Sequence, residues 1–347
     1  MILQLCVELM KNFLQKNHNI MNVAIIGCGL IGNKRALNIN ASDQILSVCD
    51  IDVAKAKNLS KKLNCSYSDN YQDLINNKKI DIIIISTPNF MIKEIALYAL
   101  NNKKHVLSEK PLGKNSIESK EMHKCAKKNG KVLYTGFNHR FHPSIIKAKK
   151  IIDQNLIGDI IHIHGHYGHG GRQGMENEWR SYKKSSGGGE LLDQGVHLID
   201  LSIMFQGFPK KVYGLTNNLV WDIEVEDSSS FILYYNNNRH SLFSVGWIYW
   251  KNKFEIYIYG NLGYLHISGL GGSYGREKLT MGIRNLKGGR PEIKTFSFPD
   301  NDQSWKKEWK FFNKVIKSND FTDNGLKVNL IVDAIYQSSK SKSEIKL

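Results

Sequence analysis

The sequence predicts an α/β Rossmann domain, a doubly wound parallel sheet, followed by an α+β domain built on a large, mostly antiparallel, open-faced sheet. Three observations carry this prediction. Strand and helix patterns alternate from Asn22 to Gly136, a glycine-rich turn joins the first strand to the first helix, and strand-like runs follow one another after about residue 210 with Gly and Asn turns between them. A chain of 347 residues has ample length for a core in each half.

Taken in order, residues 1–20 read as an N-terminal extension. They lack a basic start, a sustained apolar centre and a small-residue cleavage site. Met21 is an alternative start; otherwise Leu3, Val7, Met10 and Leu14 form one face of a short amphipathic helix. The first domain is expected over 21–141. Strands are predicted at 22–26, 45–50, 66–67, 80–86, 105–109 and 131–136, and helices at 30–38, 53–63 (capped by Asp52), 91–101 and 116–129. The second domain, 142–347, is expected to bind substrate and mediate oligomerisation. It opens with a helix at 143–153, a strand at 158–167 and a glycine-rich loop at 168–186. A helix through Gly187–Asp200 follows, then seven strands between 210 and 298, then helices at 305–318 and 326–341.

Composition narrows the function. The net charge is +16, yet the lysines are scattered and travel with asparagine, as in Asn101-Asn102-Lys103-Lys104, and no basic stripe carries interleaved aromatics. This argues against nucleic acid as a partner and leaves only a mild bias toward anionic substrates. Five cysteines without C-x-x-C spacing read as reduced thiols of a cytoplasmic protein. No apolar run is long enough to span a membrane.

Gly27-Cys28-Gly29-Leu30-Ile31-Gly32 is a G-x-G-x-x-G between a strand and a helix. Gly27 permits the tight turn, Gly29 lets the backbone approach a pyrophosphate, and Gly32 lets the helix pack on the strand. Asp50 ends the second strand 18 residues beyond Gly32, where an acid can bond a ribose 2′-hydroxyl and repel a 2′-phosphate. NAD is therefore expected rather than NADP, with Asp52 as the alternative acid. Thr87-Pro88-Asn89 and Glu109-Lys110-Pro111 end two further strands at the same sheet edge, where ligands of such folds bind. Beyond Gly187-Gly188-Gly189, Asp193 and His197 are four residues apart on a predicted helix, so they share a face, and the acid can orient the imidazole.

Together these residues resemble the Gfo/Idh/MocA oxidoreductases, the relatives of glucose–fructose oxidoreductase and inositol dehydrogenase. The resemblance runs from Met21 over nearly the whole chain and includes Gly136-Phe137-Asn138-His139-Arg140. Its specific part is E-K-P paired with G-G-G-x-x-x-D-x-x-x-H. It implies that Lys110 contacts substrate and nicotinamide, that Asp193 is the active-site acid and that His197 is the catalytic histidine. One departure is Ile92, where the family often has histidine. The implied activity is NAD-dependent oxidation of a secondary hydroxyl of a sugar, polyol or sugar nucleotide. Two alternatives are a redox-neutral, NAD-dependent sugar-modifying enzyme and a dinucleotide-responsive regulator. Homodimers or homotetramers through the second sheet are also implied, and the family mechanism uses no metal.

Other residues carry two readings each. Arg172, Trp179 and Arg180 either clamp a sugar ring or phosphate or cover the sheet, and Arg140 is either an ion-pair residue or a ligand contact. Asn138 joins the candidate substrate-binding set. His162, His164 and His166 alternate on one strand and read as polar residues of the open face rather than metal ligands.

Overall fold

The structure, a computed structural model, describes residues 20–322 and 324–347. The amphipathic helix expected around Leu3–Leu14 lies outside the described residues. The first sheet is all parallel, in the order β3-β2-β1-β4-β5-β6, from β1 (Asn22–Ile26), β2 (Gln44–Cys49), β3 (Ser66–Ser68), β4 (Ile82–Ile85), β5 (His105–Glu109) and β6 (Leu133–Gly136). Its crossover helices are α1 (Leu30–Leu37), α2 (Val53–Leu63), α3 (Tyr71–Asn76), α4 (Asn89–Asn101) and α5 (Ser116–Asn129). The four isoleucines of β4 are fully buried, because helices cover both faces of a parallel sheet. The strand order reverses between β1 and β4, which opens a crevice at their C-terminal ends.

The second sheet has nine strands. They are β7 (Ile160–Gly168), β8 (Lys211–Asn217), β9 (Ser228–Tyr234), β10 (His240–Gly246), β11 (Lys253–Gly260), β12 (Gly263–Ser268), β13 (Lys278–Ile283), β14 (Glu292–Ser297) and the short β15 (Ile345–Lys346). Their order is β14-β13-β12-β11-β7-β10-β9-β8-β15; only β7 and β10 run parallel. One face packs on α6 (Pro143–Asp153), α7 (Val196–Gln206) and α8 (Gly325–Ser341). Ile145, Ile199 and Ile331 meet Ile163, Phe243 and Ile256 in that core. The opposite face carries His162, His164 and His166 among aromatic neighbours. His164 stacks on Tyr257, and Tyr257 on His266 with 3.9 Å between ring centroids.

One helix departs from the expected division of the chain. α9 (Ser304–Ser318) returns to the first sheet, where Trp309, Phe312 and Val315 join Val23, Ile25 and Val48 in one core. Trp309 Nε1 also donates to Asp43 Oδ2 at 2.8 Å. The apolar stripe of α9 shows that it packs but not against which sheet, so the sequence reading assigned it to the second domain. No helix of the described residues is long and apolar enough to cross a membrane.

Candidate active site

The crevice at the switch point is built from the β1–α1 turn. Gly27 adopts φ +97°, and a side chain there would meet the Ser86 carbonyl at 2.5 Å. Ser86 closes the turn, its amide donating to Ile26 O and its hydroxyl to Gly27 O. A Cβ at Gly29, by contrast, would meet nothing within 4 Å, so the space above the turn is open. α1 starts there with no capping side chain and no acid in its first turn, so its amides and dipole face that space. Asp50 accepts from Cys28 N at 2.7 Å and Asp52 N at 2.9 Å, which fixes its carboxylate beside the turn. Asp52 instead caps α2 through Ala54 N and Lys55 N. Thr87 Oγ1, at the end of β4, is buried with no hydrogen-bond partner among the described residues. An open cradle, a fixed acid and an orphaned hydroxyl on one edge fit a dinucleotide.

Lys110 follows β5, and the Lys110–Pro111 peptide is cis. Its ammonium donates to Asp193 Oδ1 at 2.8 Å and to the Asp193 carbonyl. Burial would raise the Asp193 carboxyl, but Lys110 and Arg180 outweigh it and hold the group at about 2. Arg180 Nε lies 4.0 Å from Asp193 Oδ2.

His197 is not held by Asp193, contrary to the expectation from four-residue spacing. The reason is a π-helical turn at Leu191–Gly195, whose wider bonding pattern rotates Asp193 away from the α-helical register of His197. His197 Nδ1 is buried without a partner among the described residues. The ring stacks on His139 with 3.6 Å between centroids and meets Phe137 edge-on. Burial, then Lys110 and His142, push its pKa well below the usual value, so the ring is neutral near pH 7. His139 is itself locked between Asn138 Oδ1 at 3.1 Å and Tyr167 Oη at 3.0 Å.

Comparison with known proteins agrees with this layout. Residues 21–137 match the model of the oxidoreductase family with an NAD-binding Rossmann fold, and residues 145–266 match the GFO/IDH/MocA C-terminal domain. The chain belongs to the Gfo/Idh/MocA family. Among relatives, 2,7-anhydro-N-acetylneuraminate hydratase of Escherichia coli K12 is 30% identical over 186 residues, 52% of this chain and 48% of that protein. Inositol 2-dehydrogenase of Salmonella typhimurium LT2 is 32% identical over 154 residues, 42% of this chain and 46% of that enzyme. The chain thus spans about half the length of the curated relatives it matches. The structure of levoglucosan dehydrogenase in complex with NADH superposes with a TM-score of 0.85 at 21% identity, over 94% of this chain and 99% of that one.

Within this family member, several anticipated ligand contacts are otherwise engaged. Glu109 Oε1 accepts from Arg35 Nε at 2.5 Å, inside a buried triad in which Arg35 Nη1 also pairs with Glu308. Asn89 Nδ2 donates to Ser186 O at 2.8 Å and so ties the two halves together. Asn138 Nδ2 donates to Ser304 Oγ at 3.0 Å. Arg140 makes a bidentate pair with Asp200, both bonds at 2.6 Å, which corresponds to its ion-pair reading. Arg172 is paired with Glu178 at the exposed rim, whereas Arg180 shares Glu178 and reaches toward Asp193 while packing on Trp179. Ile92 is fully buried in the core under β4, in keeping with an apolar residue there. Arg35 and Glu308 were not anticipated. Gly136 packs directly on this triad, since any Cβ there would lie 2.2 Å from Arg35 Nη2.

Proposed function

We propose that the protein is an NAD-dependent dehydrogenase that reversibly oxidises a secondary hydroxyl of a sugar, polyol or sugar nucleotide. The observation that carries this reading is the Lys110–Asp193 pair beside a neutral, buried His197, at the edge of a crevice shaped for a dinucleotide. Gly27, Gly29, Leu30, Ile31 and Gly32 would cradle the pyrophosphate, and Thr87, Pro88 and Asn89 would form the facing wall. Asp50 would hold the ribose, which favours NAD over NADP.

When bound, the nicotinamide supplies the hydride acceptor for the substrate carbon. His197 accepts the hydroxyl proton, for which its neutral form is required. Lys110 has three donors, of which two are spent on Asp193 Oδ1 and the Asp193 carbonyl. The third is free to bond the substrate oxygen and stabilise its developing negative charge. Asp193 fixes the direction of that ammonium, and Arg180 extends the cationic wall. A second copy of the chain would cover the histidine- and tyrosine-bearing sheet face.

NADH absorbance measured with NAD and a panel of sugars, polyols and sugar nucleotides tests the reading. Turnover is expected for the wild type and a loss of roughly 10²–10⁴-fold for His197→Ala, with NADH binding retained. Full activity in that variant would refute the role of His197. The hydratase relative supports a second reading, redox-neutral sugar modification, which altered sugar without net NADH would establish.

A further inference from the structure

Of the three acids in the Gly187–Asp200 stretch, Asp193 holds Lys110 and Asp200 pairs with Arg140, whereas the proposed reaction gives Glu190 no task. Its position is tightly fixed. A Cβ at Gly187 would meet the Lys114 carbonyl at 2.6 Å, one at Gly188 the Tyr336 hydroxyl at 1.9 Å, and one at Gly189 the Glu226 carbonyl at 1.9 Å. The Glu190 amide donates to that same Glu226 carbonyl at 3.1 Å. The residue is completely buried, and neither carboxyl oxygen has a hydrogen-bond partner among the described residues. Neighbouring Glu226 is differently served, with Oε1 accepting from Gly189 N, Leu191 N and Tyr336 Oη.

The groups whose charges bear on Glu190 come from every side. Asp193 lies one turn along its own segment, Lys110 comes from the end of β5, Glu226 from the loop before β9, and Arg180 from the 168–186 loop. Tyr167, Tyr249 and Tyr274 in turn feel its carboxyl. A buried carboxylate without donors loses its hydration for nothing in return, and a second negative charge beside Asp193 compounds the cost. The uncharged acid avoids both.

We propose that Glu190 is a positioning residue that works as an uncharged carboxylic acid, leaving Asp193 as the only full counter-charge on Lys110. The proposal rests on the dehydrogenase reading for its kinetic part alone. With one carboxylate beside it, the Lys110 ammonium keeps the electrostatic pull that a developing alkoxide needs. Ionised Glu190 would add a second acceptor charge, weaken that pull and oppose alkoxide formation.

Two measurements on the full chain test this. The first, thermal unfolding against pH, needs no substrate. A carboxyl raised on folding stabilises below its unfolded value of 4.5, and that stability is lost as pH rises through the folded value. Glu190→Gln should therefore gain Tm over the wild type, increasingly as pH rises above 4.5. A difference that does not change with pH overturns the uncharged acid. The second is the pH profile of NADH formation. Glu190→Ala should lower kcat, Glu190→Gln should restore it near pH 7, and the glutamine variant should lack an alkaline fall of about tenfold shown by the wild type. Identical alkaline limbs overturn the action on Lys110. A wild type that turns over no substrate counts against the dehydrogenase reading, while the thermal result still decides the charge state of Glu190.

Discussion

Arg35→Met removes the cation from the buried triad under the site. The Glu109 and Glu308 side chains are only 10% and 0% exposed, and Glu308 Oε1 already has no partner among the described residues, so neither carboxylate finds water when the arginine goes. Breaking a buried ion pair from one side costs about 3–5 kcal/mol, and loss of the Arg35–Trp305 stacking, at 4.5 Å, adds about 1 kcal/mol. The sum, about 4–6 kcal/mol, corresponds to a fall in Tm on the order of 10–20 °C. The fall should deepen with pH. Burial already raises Glu308 to about 7 against the pull of Arg35, so without the arginine the Glu308 carboxyl must be carried as an acid. Differential scanning calorimetry at pH 5 and pH 8 measures both effects. A variant within about 2 °C of the wild type at pH 8 would refute the triad as a stabilising unit. Because Glu109 directly precedes Lys110, the same variant should also weaken NADH binding.

Other perturbations separate the site from the scaffold. Gly29→Ala should fold with wild-type Tm but bind NADH weakly by fluorescence titration, since its Cβ meets only open space; Gly32→Ala should lower Tm, since its Cβ would lie 1.9 Å from Gly27 O. Asp193→Asn should lower kcat by freeing Lys110 without removing the NADH-binding signal. Asp193 is held at about 2 against an ordinary 3.8, so its stabilisation is present above 3.8 and lost as pH falls through about 2. The asparagine variant should therefore lack that acid-side loss of Tm, and an unchanged acid limb would show that Lys110 does not depend on the pair.

The first sheet was legible in the sequence because each parallel strand is a short apolar run bounded by turn residues, and because the Gly27–Gly32 fingerprint has a steric reason at Gly27 and Gly32 and leaves open space at Gly29. Asp50 was legible from its distance to that fingerprint, although its bonds to Cys28 N and Asp52 N were not. The π turn at Leu191–Gly195 was hidden because its residues look like any apolar helix, so spacing alone placed Asp193 beside His197. The partners of Arg35 were hidden for another reason. Glu109 and Glu308 lie 74 and 273 residues away in the chain, and no local period reports a contact at that range. Glu190 was passed over because an acid in a glycine-rich turn reads as solvated until its burial is known.

The return of α9 to the first sheet bears on how members of this fold can be recombined. A chimera joined only near residue 141 would give the nucleotide half a foreign helix in place of Trp309, Phe312 and Val315. It would also remove Glu308 from Arg35. Because α8 and β15 lie beyond that helix yet belong with the second sheet, an exchange of substrate halves that keeps the native helix needs three junctions, near 141, shortly before Ser304 and just after Ser318, so the transplantable module is an insert plus a tail.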